Sequence, residues 1–281
     1  MATRRHHGGP KKDNEHRMTI VTNSTLARLR QSQAVFGFGV SQLRGPMAAQ
    51  LAKASGYHWL GIDTEHGAFT LGEVSQICVS ALPLGITPIV RVRPQALDEG
   101  ARALDNGAQG IIVPNVNTVH DAKRMVEALR YPDKGARNWG PSGVQYGFDV
   151  PPAARAQPQM DAEVLLVAML ESPEAVANAD AIAAVPGIDL LFFGAVDLSI
   201  SMEIPGQFGH PRIQQAFEDV SGICRRHGKF LGMGGVYDEQ WTRTYMAIGA
   251  RFVAGGSDQA FVLSAGRART QFLEQCAQAA G

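Results

Sequence analysis

The chain has 281 residues, 45% of them hydrophobic and 19% charged, which supplies a sizeable core and carries none of the bias of a fibrous or disordered protein. Lys+Arg and Asp+Glu both number 26, so no bulk attraction to nucleic acid or to an anionic membrane is expected. The three cysteines, Cys78, Cys224 and Cys276, are far apart and form no CxxC pair; neither a disulfide framework nor a zinc site is expected, and a reducing cytoplasm is. No apolar stretch reaches the roughly 18–20 residues of a membrane span, and the first residues lack the apolar run of a signal peptide.

In chain order, residues 1–17 (MATRRHHGGPKKDNEHR) come first, polar and basic, and their composition predicts a disordered tail ahead of a single domain over 18–281. Eight short apolar runs follow: VFGFGV (35–40), WLGIDTE (59–65), PIVRVR (88–93), GIIVPNV (110–116), LLVAMLE (165–171), DLLFFGAVD (189–197), FLGMGGV (230–236) and RFVAGGSD (251–258). Helix-like stretches separate them, over 46–55, 71–82, 96–106, 119–130, 173–184, 211–227 and 238–248. Apolar strands alternating with helices predict a parallel sheet covered on both faces. Eight such units predict one closed (β/α)8 barrel. A doubly wound sheet is disfavoured, because Gly37-Phe38-Gly39 lacks the third glycine of a dinucleotide turn. The Pro- and Gly-rich stretch over 138–162 is expected to form a lid-like loop over the active face.

Barrel active sites lie at the carboxyl ends of the strands. The polar residues expected there are Asp63, Glu65 and His66 after the second run, Arg91 and Arg93 in the third, Glu171 ending the fifth and Asp197 ending the sixth. Two carboxylates with no Cys or His beside them suit a hard cation such as Mg2+ or Mn2+, which prefers oxygen ligands and leaves sites for a chelating 2-oxo acid. Such a cation stabilises an enolate, His66 is placed to carry protons, and a strand arginine suits an oxyanion or carboxylate. Each of these residues also has an ordinary reading: a strand-end Asp or Glu can cap the next helix, and a histidine can rest on backbone carbonyls. Arg91 is harder to assign to structure alone, because a buried guanidinium without an anion is costly.

These blocks resemble the HpcH/HpaI family of class II pyruvate aldolases. The resemblance is carried by Trp59–Gly67, Pro88–Val92, Leu104–Ala108, Arg130–Arg137, Leu170–Ser172, Gly194–Ser199 and Gly249–Asp258, in order, from about Val35 to the C-terminus. It implies a (β/α)8 barrel assembled as a hexamer of swapped dimers. It also implies a divalent metal (Mg2+, Mn2+ or Co2+) on Glu171 and Asp197, with His66 as acid/base. Asp63 and Asp105 would orient that histidine or its hydrogen-bond network, and Arg91 would meet the keto or enolate oxygen. Backbone around Gly194, Ala195 and Val196 would hold the substrate carboxylate. The implied reaction cleaves or forms 4-hydroxy-2-oxo acids through a metal-bound pyruvate enolate, the partners being a small 2-oxo acid and an aldehyde. Decarboxylation of oxaloacetate on the same site, or a non-catalytic carboxylate-binding barrel, stays open. A lyase for acyl-CoA thioesters is disfavoured by the lack of a basic cluster. Four positions depart from the family pattern: Gly39 replaces a tryptophan, Met169 a glutamine, Ala195 a proline and Gly234 a leucine. Losing two large side chains is expected to open the pocket toward a larger or more apolar acceptor, unless the 138–162 loop refills it.

Overall fold

A computed structural model describes residues 19–279; the tail expected over 1–17 lies outside them. Eight strands, β1 (Val35–Val40), β2 (Trp59–Asp63), β3 (Thr87–Arg91), β4 (Gly110–Val113), β5 (Leu165–Leu170), β6 (Leu190–Gly194), β7 (Phe230–Gly234) and β8 (Phe252–Ser257), close into a barrel in sequence order. All neighbours are parallel, β8 pairing β1 to complete the circle. The helices, in chain order, are α1 (Ser24–Arg30), α2 (Met47–Ala54), α3 (Leu71–Ala81), α4 (Leu97–Asp105), α5 (Val119–Leu129), α6 (Ala153–Ala162), α7 (Pro173–Ala177), α8 (Ala179–Ala183), α9 (Ala195–Ser201), α10 (Pro211–His227), α11 (Glu239–Ile248) and α12 (Asp258–Ala279).

Strand periodicity of two sorts each run into inward and outward residues. On β2, Leu60 and Ile62 join the layer between barrel and helices, while Trp59 belongs to the barrel's own interior and Gly61 and Asp63 line the cavity above it. The interior is filled from the lower, amino-terminal end by Val35, Trp59, Ile89, Leu165, Leu190 and Phe252, with Leu26 and Leu29 of α1 plugging that end. Trp59 stacks on Phe252 at 4.1 Å, and Phe192 meets Phe252 edge-on. Such pairs contribute about 0.5–1.5 kcal/mol each beyond area burial. Helix starts are set locally: Thr70 with Glu73 and Thr118 with Asp121 form reciprocal capping boxes.

The structure corrects the expectation for residues 138–162. This stretch follows α5 and precedes β5, so it lies at the lower end, opposite the active face. It folds partly as α6, packs Tyr131, Tyr146, Ala156 and Met160 into a cluster of their own, and bonds the backbone of Val21. It therefore neither covers nor refills the pocket. The strands also stop earlier than the apolar runs suggest. Asp197 is not the end of β6 but the third residue of α9. Helices α1, α6, α9 and α12 are additional to the expected set.

Candidate active site

The upper rim of β2 and β3 is built around one guanidinium. Arg91 donates from Nε and Nη2 to the two carboxylate oxygens of Asp63, at 3.0 and 2.7 Å, and its Nη1 stands 3.2 Å from Oε2 of Glu65. The loop after β2 is fastened to the same strand, since Thr64 donates through both N–H and hydroxyl to the Arg91 carbonyl. Asp63 also accepts the backbone N–H groups of Glu65 and His66. Burial pushes Asp63 upward, but the bond and charge of Arg91 and these amides outweigh it and hold the carboxyl below its usual range. Asp63 thus orients Arg91 and the loop, touching the His66 backbone rather than its ring. The His66 side chain is 69% exposed, with Nε2 at 3.7 Å from Glu65.

Across the barrel, Glu171 follows β5 and is 5% exposed. Its Oε2 accepts the backbone N–H of Asn115 at 2.9 Å, which the left-handed conformation of Asn115 (φ 53°) makes available. Gly194 lets this side chain lean over β6: a Cβ there would lie 2.7 Å from Glu171 Cγ and Oε1. Asp197 reaches the cavity from the first turn of α9, beside Ala195 and Val196, whose first-turn N–H groups have no acceptor within the helix. Burial first, and then the charges of Asp197 and Glu65, raise Glu171 to about 7 against the opposing Asn115 amide and Arg91. Glu65 is raised by burial too, with Asp63 and Asp197 adding to it and Arg91 and His66 opposing.

Among the described residues no three His, Cys, Asp or Glu side chains converge as a ready-made metal cage. The donor set fits a different kind of site. Asp197 lines the cavity and Glu171 stands close enough to feel its charge, both offer oxygen alone, and the electrostatic cost at Glu171 would be relieved by a cation. A hard divalent ion that keeps positions for water and a chelating substrate needs just such a partial set.

A cavity of about 260 Å³ opens at this end and runs down into the barrel. Asp63, Arg91, Gly194, Val196, Asp197 and Gly234 all line it. Asp105 is not brought there. It ends α4 at the lower rim, where its carboxylate pairs with the buried Arg137 at 2.6 Å and its carbonyl accepts from Ser142. Within one chain it cannot orient His66. Two residues that sequence reasoning did not single out take part, Trp59 beneath the cavity and Asn115 on Glu171, and Glu65, expected at the rim without a role, meets Arg91. The alternation Trp59, Gly61, Asp63 signals Trp59; the other two sit in loops past the strand ends, where periodicity is silent.

The profile of the HpcH/HpaI aldolase/citrate lyase family matches residues 41–265. The chain belongs to this family. Among HpcH/HpaI members it is 38% identical over 220 residues to the 4-hydroxy-4-methyl-2-oxoglutarate aldolase tasA of Hapsidospora irregularis, covering 76% of this chain and 81% of that one. It is 34% identical over 246 residues to the hydroxypyruvate/pyruvate aldolase of Pseudomonas aeruginosa, covering 88% and 91%. The HpcH/HpaI aldolase of Desulfitobacterium hafniense DCB-2 superposes with a TM-score of 0.83 at 25% identity, over 89% of this chain and 96% of that one. The protein is accordingly an aldolase, a carbon–carbon lyase on a (β/α)8 barrel.

Proposed function

We propose that this aldolase uses pyruvate as its nucleophile, cleaving or forming 4-hydroxy-2-oxo acids, with Mg2+, Mn2+ or Co2+ held by Glu171 and Asp197. The observation that carries the reading is the buried Glu171 leaning over Gly194, which lines one cavity together with Asp197, Asp63 and Arg91. When bound, the cation supplies Lewis acidity that stabilises the negative charge of the enolate. The names of the relatives agree, since 4-hydroxy-4-methyl-2-oxoglutarate is the aldol of two pyruvates.

The chain's own residues supply the rest. Arg91 has five N–H groups; three face Asp63 and Glu65, leaving two for the oxygen on which charge develops. The amides of Ala195 and Val196 at the start of α9 receive the donor's carboxylate. His66, at the rim, takes the hydroxyl proton from C4 as the C3–C4 bond breaks and returns it when the bond forms. Glu65 and Asp63 hold Arg91 in place for both directions. Asp105 has no part in this reading within a single chain.

An oligomer is part of the proposal. Helix α12 carries Phe261, Val262, Leu263, Phe272 and Leu273 at 37–69% exposure, and only its first residue, Asp258, is buried. A 22-residue helix so poorly covered by its own barrel suits docking on a second copy, as in the hexamer of swapped dimers that the family resemblance implies. No helix of the described residues is long and apolar enough to cross a membrane, and a cytoplasmic setting is proposed.

The test follows the methyl protons of pyruvate by NMR in D2O with enzyme and Mn2+ or Mg2+, then with EDTA. Metal-dependent exchange of the methyl signal is the expected result. Absence of exchange with every cation would remove pyruvate as the donor.

A further inference from the structure

Resting on that aldolase reading, we infer that the acceptor's side group is held inside the barrel, in an apolar chamber beside the carboxylates, and that the acceptor is an uncharged aldehyde with an apolar substituent as large as an aromatic ring.

Size is the first argument. On the scale where one water needs roughly 10–15 Å³, a cavity of about 260 Å³ holds far more than the six heavy atoms of pyruvate. The surplus is inside the strands, one side-chain layer below the catalytic rim. Met169 lies two residues below Glu171 on β5, and Phe192 two below Gly194 on β6. Trp59 forms the floor, with Ile112 and Ala254 on facing walls.

The depth is enforced by packing. At Gly39, where the family pattern has tryptophan, a Cβ would stand 2.9 Å from the Gly256 carbonyl. At Gly234, where it has leucine, a Cβ would stand 2.7 Å from Phe192 Cζ. Phe192 thus stands where a side chain at 234 would start, and the backbone of β8 stands against 39, so neither position adds bulk to the cavity it lines. The two departures leave one chamber, walled by apolar side chains and strand backbone.

Charge is the second argument. Asp63 and Asp197 line the cavity, with Glu65 and Glu171 close enough to feel their charge, against one arginine that is already paired with Asp63 and Glu65. The nearby Arg44 and Arg93 are paired with Glu73 and Glu99. The hydroxyl of Ser41, which lines the cavity, is donated to Asp258. Arg91 is the only cationic side chain lining the cavity among the described residues, so a carboxylate on the acceptor would be desolvated against aromatic rings without a free partner, at a cost of several kcal/mol. An alkyl or aryl group gains from the same surface.

The experiment uses the full-length protein with Mn2+ and pyruvate, and compares kcat/KM for carbon–carbon bond formation with benzaldehyde, acetaldehyde and glyoxylate. Benzaldehyde is expected to exceed glyoxylate by roughly tenfold or more. Ala254→Leu, which fills the chamber, is expected to lower the benzaldehyde-to-acetaldehyde ratio by roughly tenfold. Ile112→Phe narrows it from the opposite wall, and the same fall is expected; either variant that retains the wild-type circular dichroism melt decides the matter. Preference for glyoxylate, or for pyruvate itself as acceptor, would overturn the inference, as would an unchanged ratio in a folded variant. In those cases, retained metal-dependent exchange of the pyruvate methyl protons leaves the aldolase reading standing; its loss in wild type removes both.

Discussion

At position 171, burial and neighbouring charge act in the same direction. A carboxyl raised to about 7 in the fold, against roughly 4.3 in an unfolded chain, favours the protonated folded state. The stability it contributes is fully present below about pH 4 and is lost as pH rises through about 7. At pH 8 in EDTA, Glu171→Gln should therefore melt higher than wild type, by on the order of 1–3 kcal/mol or a few degrees. Excess Mn2+ should reverse the order, because only wild type binds it tightly; differential scanning calorimetry reads both. At Arg91 the geometry is a fork. Arg91→Lys keeps the charge but cannot match both oxygens of Asp63, so kcat should fall on the order of 10²-fold, with a smaller change in KM, in steady-state assays.

At the scale of elements, strands and their inward faces were legible because alternation fixes them: Trp59, Gly61 and Asp63 share one side of β2, and Arg91 is next to Asp63 in register. What alternation cannot report is which end of the barrel a connection occupies. The 138–162 stretch was misplaced for that reason, and the same rule puts Asp105 at the lower rim of its own chain. Each follows or ends a helix and leads into a strand, and such connections lie at the lower end whatever their composition. The role of Glu65 and the presence of Asn115 were not legible because both depend on loop conformation, a pinned turn in one case and a positive φ in the other.

Asp258 gives an element-scale prediction. This first residue of α12 is 2% exposed and accepts the N–H groups of Ser41, Gln42 and Leu43 and the Ser41 hydroxyl, joining the helix to the loop after β1. Burial pushes its carboxyl up, and the four donors hold it below its ordinary value. Its stabilisation is present above the unfolded value near 3.9 and is lost as pH falls through the lower folded value. Asp258→Asn puts an amide donor among donors and should cost about 2–4 kcal/mol at pH 7 by urea unfolding. The gap from wild type should narrow below about pH 4.

For the whole molecule, the proposed docking of α12 on a second copy makes a prediction about mass. Replacing Phe272 and Leu273 together with Asp should lower the mass measured by light scattering from an oligomer to smaller species. The barrel should stay folded by circular dichroism, since neither residue is buried in its own chain. An unchanged mass would place the interface elsewhere.

Glycine at 39 and 234 has a consequence for how this enzyme can change over generations. Many barrels alter their substrates by exchanging loops, which leaves the strands untouched. Here the space that would select an acceptor is cut into the strands, and narrowing it at either glycine means moving the Gly256 carbonyl or the Phe192 ring. Selectivity and folding stability are then drawn from the same atoms. Drift toward smaller substrates by refilling positions 39 or 234 would require paired substitutions, one to add the side chain and one to relieve its clash, so the single-step routes run through other wall positions such as 112 and 254.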